Sequence, residues 1–265
     1  MSINPTLAAG LFGYSAIATG SDPATAIGML KRATAAGAAE KGIARERRDP
    51  VIITALAQFD KALGAAKDLK SALADPRIMA VLLPAVGLGS QLGNPGLAQR
   101  ALLADPEAKG GLLVRIDQRW KKAAQMLGVF GKDISALRDP ALLKTLKDNY
   151  VGYQYQKSLD ARQPGMSDAL YFISQAAGKS DNVYNVLGDA ILRRVVTGAL
   201  GLPRELAVQS VERQASAVTT RMPLTRLNDP EQVYKLAQRY LMTAASNATA
   251  NAAPDLAMLA MSLRA

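Results

Sequence analysis

The sequence predicts an all-α fold, and three features carry that expectation. Apolar residues make up 49% of the chain, yet only 5% of residues are aromatic. Ala and Leu dominate this set, a balance that suits close-packed helices better than sheets of β-branched and aromatic side chains. The dipeptide Asp-Pro recurs at Asp22, Asp49, Asp75, Asp105, Asp139 and Asp229. An Asp at the N-cap accepts bonds from the unpaired N–H groups of the first turn, and Pro at the next position gives up a donor that had no partner. Each Asp-Pro therefore marks a helix start, and each aspartate is explained by capping rather than by catalysis. Apolar residues after these starts return at helical spacing. With 265 residues, the chain is long enough to bury one large core or two smaller ones.

Residues 1–50 read as a basic, partly helical appendage. Its charge block is Lys31, Arg32, Lys41, Arg45, Arg47 and Arg48, interrupted by Glu40 and Glu46. The expectation is an N-terminal arm outside the packed core. The opening Met1-Ser2-Ile3-Asn4-Pro5 has no basic n-region, so Sec-type export is not supported and the cytoplasm is the expected compartment. Flagellar-type export stays open, without a sequence feature that shows it. The longest apolar stretch, Met79 to Gly89, contains Pro84 and is shorter than the roughly 20 apolar residues of a membrane span.

After Asp105, residues Leu112, Leu113, Ile116, Trp120, Ala123, Ala124 and Leu127 fall on one stripe at helical period, which predicts one helix burying Trp120. The opposite face carries Arg115, Arg119 and Lys122 at i, i+4 and i+7. Such a row reads first as a solvated face and second as a basic contact surface, to which Arg45, Arg47 and Arg48 would add.

The chain also reads as internally duplicated. Phe59, Gly64, Leu73, Asp75, Ala85, Gly87 and Leu88 align with Phe172, Gly178, Leu187, Asp189, Ala199, Gly201 and Leu202, at a constant offset of 114 from Gly64 onward. A second match sets Leu137-Arg138-Asp139-Pro140 against Leu227-Asn228-Asp229-Pro230. Leu143, Leu146 and Tyr150 then follow in step with Val233, Leu236 and Tyr240. Gly64, Gly87, Gly178 and Gly201 fit helix C-termini, where a positive φ favours glycine. The predicted organisation is an appendage over 1–50, repeat units over 51–160 and 161–242, and a tail over 243–265 rich in Ala, Asn and Thr.

Two absences bound the chemistry. The sequence has no His and no Cys, so imidazole and thiolate metal sites, histidine acid–base catalysis, Ser/His/Asp and Cys/His nucleophiles and disulfides are excluded. No metal or cofactor site is expected. Paired carboxylates can catalyse without His, but the acidic residues sit mostly at helix starts or in charged surface patterns and no pair stands out. Gly178-Lys179-Ser180 resembles the end of a phosphate loop, yet Ile173 stands where its first glycine belongs. The Gly87–Gly93 stretch misses the dinucleotide spacing by one residue and follows no strand.

Net charge is +10, compatible with nucleic acid, an anionic membrane surface or an acidic partner protein. No reader motif for DNA or RNA is present. Tyr150, Tyr153 and Tyr155 could stack on bases, although the Tyr150/Tyr240 match favours a structural role.

The run Phe59…Gly64…Asp68-Leu69…Leu73-Ala74-Asp75…Gly87-Leu88 and its second copy Tyr171-Phe172…Gly178…Leu187-Gly188-Asp189…Ala199-Leu200-Gly201-Leu202-Pro203 resemble an alphaproteobacterial family, domain of unknown function number twelve-seventeen. The resemblance spans roughly residues 51–242. It implies a flagellar setting, because members are often encoded among flagellar genes, and it supplies no active-site motif. The resulting expectation is a non-enzymatic helical protein acting by contact with a partner protein, such as a flagellar component, in flagellar assembly, export or regulation. The alternative is non-specific nucleic-acid binding through the basic surface.

Overall fold

A computed structural model describes residues 23–116, 118–179 and 181–262. Among them are fourteen α-helices and no strand, so the fold is all-α. In chain order these are α1 (Pro23–Ala33), α2 (Ala38–Glu46), α3 (Pro50–Ala65), α4 (Leu69–Ala72), α5 (Pro76–Ala85), α6 (Pro95–Leu102), α7 (Leu112–Arg115), α8 (Gln118–Leu127), α9 (Pro140–Arg162), α10 (Met166–Gln175), α11 (Val183–Leu187), α12 (Ala190–Ala199), α13 (Val211–Arg221) and α14 (Pro230–Ser262). None of them is long and apolar enough to cross a membrane.

The chain forms two compact units. One is continuous, Ala39–Tyr155; the other joins the chain up to Ala38 with Gln156 onward. In the continuous unit, α3 packs on α5 and α6 on α8, around Phe59, Leu73, Ile78, Leu82, Leu102 and Trp120, each at most 3% exposed. In the other, α14 packs on α12, α10 and α1, burying Leu30, Met166, Phe172, Val195 and Leu241.

Most Asp-Pro pairs start helices as predicted. Asp49 accepts the Val51 N–H at 2.8 Å, Asp75 that of Arg77 at 2.8 Å, Asp139 that of Leu142 at 2.9 Å and Asp229 that of Glu231 at 2.8 Å. Asp22 lies outside the described residues. Asp105 departs from the rule: it accepts the Glu107 N–H at 2.8 Å, but only a turn follows and the next helix begins at Leu112. The chain meets Gly110, at φ +80°, and Gly111 within two turns of Asp105, and paired glycines oppose helix propagation through the backbone freedom they would lose.

Other expectations need correction. The stripe from Leu112 to Leu127 belongs to two helices, because the β-branched Ile116 is extended (φ −113°, ψ 176°) between α7 and α8. Gly87, Gly178 and Gly201 have φ of +79°, +78° and +61°, whereas Gly64 sits inside α3 with no positive φ. The end of α3 is closed instead by Arg138, whose guanidinium donates to the carbonyls of Leu63 at 2.8 Å, Gly64 at 3.2 Å and Ala66 at 2.6 Å. A cationic donor on the last carbonyls does the work of a glycine cap. The basic block is not on an arm outside the packed core. Gly42 of α2 lies against Tyr155, so closely that a Cβ there would come within 2.2 Å of the ring. Toward the C-terminus, α14 continues unbroken to Ser262.

Candidate functional site

The unit containing α10, α12 and α14 holds a cleft of about 800 Å³. Its lining includes Asp168, in the first turn of α10 and 9% exposed. The Tyr240 hydroxyl of α14 donates to Asp168 Oδ2 at 2.7 Å, and Arg194 Nη1 of α12 lies 3.0 Å from the same oxygen. Burial pushes the Asp168 carboxyl above the usual carboxylate range, against the opposing pull of the Tyr240 hydrogen bond and the Arg194 charge. Burial, then the neighbouring Asp168 charge, likewise holds the Tyr240 phenol far above its ordinary value.

Two glycines make the Tyr240–Asp168 bond sterically accessible. A Cβ on Gly165 would stand 2.9 Å from Tyr240 Cε1, and one on Gly198 would stand 2.8 Å from Cδ2. Gly165 also has φ +81°, so both its conformation and its surroundings exclude a side chain. Gln214, 5% exposed, also lines the cleft; its Nε2 donates to the carbonyls of Gln209 at 2.8 Å and Ala207 at 3.4 Å. Arg193 Nη1 donates to the Leu187 carbonyl at 3.2 Å. Leu202, Leu206, Ala207 and Pro164 supply apolar wall. The cleft combines a few polar groups with a partly apolar wall at a volume of small-molecule size. No set of three or more acidic side chains is arranged to hold a metal among the described residues.

The residues singled out from the sequence lie elsewhere. Arg45 is on α2, Arg47 and Arg48 are in the turn before α3, Arg115 ends α7, and Arg119 and Lys122 are on α8. All six are exposed and all belong to the Ala39–Tyr155 unit. None lines the cleft. Arg47 pairs with Asp148 Oδ1 at 3.0 Å, and the break at Ile116 takes Arg115 off the helix that carries Arg119 and Lys122. Tyr150 and Tyr155 are 6% and 8% exposed, too buried to stack on bases.

The sequence reading missed Asp168, Arg194 and Tyr240. A signal for the first was present: Asp168 is interleaved with the apolar positions Met166, Ala169 and Phe172 at the start of α10, a place where a carboxylate needs a partner.

A family model described as "Protein of unknown function (DUF1217)" matches residues 85–233. An X-ray crystal structure of protein AGR_C_984 from Agrobacterium tumefaciens superposes with a TM-score of 0.61 at 20% identity, covering 83% of this chain and 92% of that one. The likeness is one of fold. No curated protein matches the chain. The family match takes in Asp168, Arg194 and Gln214 as well as α8, and on its extent this chain belongs to the DUF1217 family of proteins of unknown function.

Proposed function

We propose that the protein is non-enzymatic and acts by contact with an acidic partner protein through the outer face of α8, in flagellar assembly, export or regulation. The observation that supports this reading is the make-up of that face. Trp120, Ala123, Ala124 and Leu127 turn inward, while Arg119, Lys122 and Met126, at i, i+3 and i+7, face solvent. Phe130 follows just beyond the helix and is 49% exposed. Arg, Met and aromatic residues together are the composition of protein interfaces, and a large apolar side chain left in water beside cations favours an amphipathic acidic partner over a phosphate backbone. The flagellar setting rests on the family resemblance.

The experiment combines deletion with in-cell photo-cross-linking. A strain lacking the gene should swim poorly and recover with the wild-type copy, but not with Lys122→Glu/Met126→Glu made at equal level. A photoreactive residue at position 126 should capture a flagellar component that one at Gln99 does not. Normal swimming of the deletion strain would defeat the setting. Adducts with nucleic acid, or identical adducts from both positions, would defeat the partner reading.

A further inference from the structure

We propose that Phe130 anchors the partner contact: the turn Val129–Lys132 inserts the Phe130 ring into an apolar pocket of the partner protein, whose rim presents Asp or Glu carboxylates to Lys122 and Lys132. This rests on the contact reading of the α8 face above and adds what the partner must present there.

Phe130 differs from the other described phenylalanines. Phe59 and Phe172 are 0% exposed, whereas Phe130 is 49% exposed, which leaves in water a large apolar surface whose burial would be favourable. The backbone fixes its position on both sides. Gly128 closes α8, its N–H donating to the Ala124 carbonyl at 2.9 Å, and takes φ +58°. Val129, 1% exposed, is held in the core. The Lys132 N–H then donates to the Val129 carbonyl at 3.1 Å, closing a turn in which Phe130 and Gly131 are the central residues, and Gly131 has φ +68°, a conformation that glycine supplies without strain. A buried residue before it and a closed turn around it thus hold Phe130 at a tip. A side chain placed before the encounter loses less freedom on binding, and aromatic residues are enriched in protein interfaces.

The surroundings specify the pocket it enters. A groove of about 740 Å³ lies against the same turn, lined in part by Met126, Gly128, Gly131, Lys132 and Leu142, and can receive the wall of that pocket. Lys132 Nζ comes 3.8 Å from the place a Cβ on Gly128 would take, so its ammonium stands beside the turn. From Arg115 to Lys132 the chain carries five basic residues and one acid, Asp117. The other carboxylates nearby are engaged within the protein. Glu107 accepts from Gln125 at 2.7 Å and pairs with Lys121 at 3.5 Å, Asp133 accepts the Ser135 N–H at 2.9 Å, and Asp139 accepts that of Leu142 at 2.9 Å. The excess charge is positive and borders an apolar centre. A phosphate backbone calls for a track of cations, whereas an apolar centre inside a charged rim is the anatomy of a protein interface, and the complementary rim is acidic.

The test uses the partner captured from position 126, purified and titrated by calorimetry into the full chain. Phe130→Ser should weaken binding at least about tenfold and Phe130→Trp less than about threefold. Val51→Ser removes a side chain that is 77% exposed but lies on α3, and should change affinity less than about twofold. Gly131→Asn, which tolerates a positive φ, should bind as wild type, while Gly131→Val should weaken binding at least about threefold with the helical circular dichroism unchanged. A benzophenone side chain in place of Phe130 should attach to an apolar partner residue that has Asp or Glu beside it in the partner's structure. If position 126 captures no protein, the contact reading fails and the anchor with it. If it captures one whose affinity survives Phe130→Ser, the anchor alone is overturned, as it is if position 130 attaches to nucleic acid, lipid or a second copy of this chain.

Discussion

Helices α5 and α12, one in each unit, begin and end alike. Each has an aspartate cap, Asp75 or Asp189, each runs ten residues, and each is followed by a left-handed glycine, Gly87 or Gly201. The exits match in detail. The Leu88 N–H reaches back to the Leu83 carbonyl at 2.8 Å, and the Leu202 N–H to that of Thr197 at 2.9 Å, the long bond of a Schellman ending. Between these ends the helices diverge. In α5, Ile78, Met79, Val81, Leu82 and Leu83 are all buried, whereas in α12 only Leu192, Val195 and Val196 are, and Arg193, Arg194, Thr197 and Gly198 line the cleft. Pro84 stands in α5 where Gly198 stands in α12, and it is Gly198 that admits the Tyr240 ring. Caps and exits thus set the path of a helix, while the residues between decide whether it closes a core or opens a site. We propose that the two segments are copies of one ancestral sequence; profiles built separately from each half of the family should then recognise one another.

The largest expected effect tests what the units share. Phe59 and Phe172 are both 0% exposed, so Phe59→Ala and Phe172→Ala should each cost about 3–5 kcal/mol in urea unfolding. A cost under about 1 kcal/mol for either would break the parity of the two cores.

The next tests where they differ. Gly165→Ala meets both a positive φ and the Tyr240 ring at 2.9 Å, and should cost about 3 kcal/mol from backbone strain and overpacking together. Gly87→Ala has a similar φ, +79°, but nothing within 4 Å, and should cost only about 1 kcal/mol. Equal costs by the same unfolding assay would remove the claim that Tyr240 is held by its glycines.

The caps should differ less. Asp189 accepts the N–H groups of Ile191 and Leu192 and the Tyr171 hydroxyl, while Asp75 accepts one backbone N–H and chelates Arg77. Thermal melts should place Asp189→Ala near about 2 kcal/mol and Asp75→Ala near about 1 kcal/mol. The reverse order would mean that the Arg77 pair matters more than the backbone bonds.

The smallest effect is in pH. Asp168 is raised by burial, so the folded state binds its proton more tightly than the unfolded state does. Stability therefore falls as pH rises from the ordinary value of 3.8 through the raised one. Burial would also raise Asp189, but the bonds from the Leu192 N–H, the Tyr171 hydroxyl and the Ile191 N–H outweigh it and hold the carboxyl low. Its stabilisation is present above 3.8 and lost as pH falls through the lowered value. Unfolding measured across this range should show Asp168→Asn gaining on the wild type as pH rises, and a constant difference would refute the assignment.

What was legible in the sequence was local. Asp49, Asp75, Asp139 and Asp229 could be read as caps because donor and acceptor lie within three residues of one another. Asp105 misled because capping starts a helix but does not carry it through Gly110 and Gly111. Gly64 misled for the opposite reason, since the group that ends α3 is Arg138, 74 residues away. The exposed face with Arg119 and Lys122 followed from periodicity, which is blind to the break at Ile116. The cleft stayed hidden because Asp168 and Tyr240 are 72 residues apart. In the sequence Tyr240 reads as the counterpart of Tyr150, and only the fold brings it to a carboxylate.

Helix α1 buries Ala26 and Leu30 completely and packs on α10 and α14, the latter beginning at Pro230. On a ribosome adding about 5–20 residues per second, the apolar face of α1 waits roughly 10–40 s for α14 to be made. The Ala39–Tyr155 segment is continuous and is made in full during that wait. Birth order therefore favours completion of the continuous unit first, with the unit that holds the cleft closing last around a helix made before both.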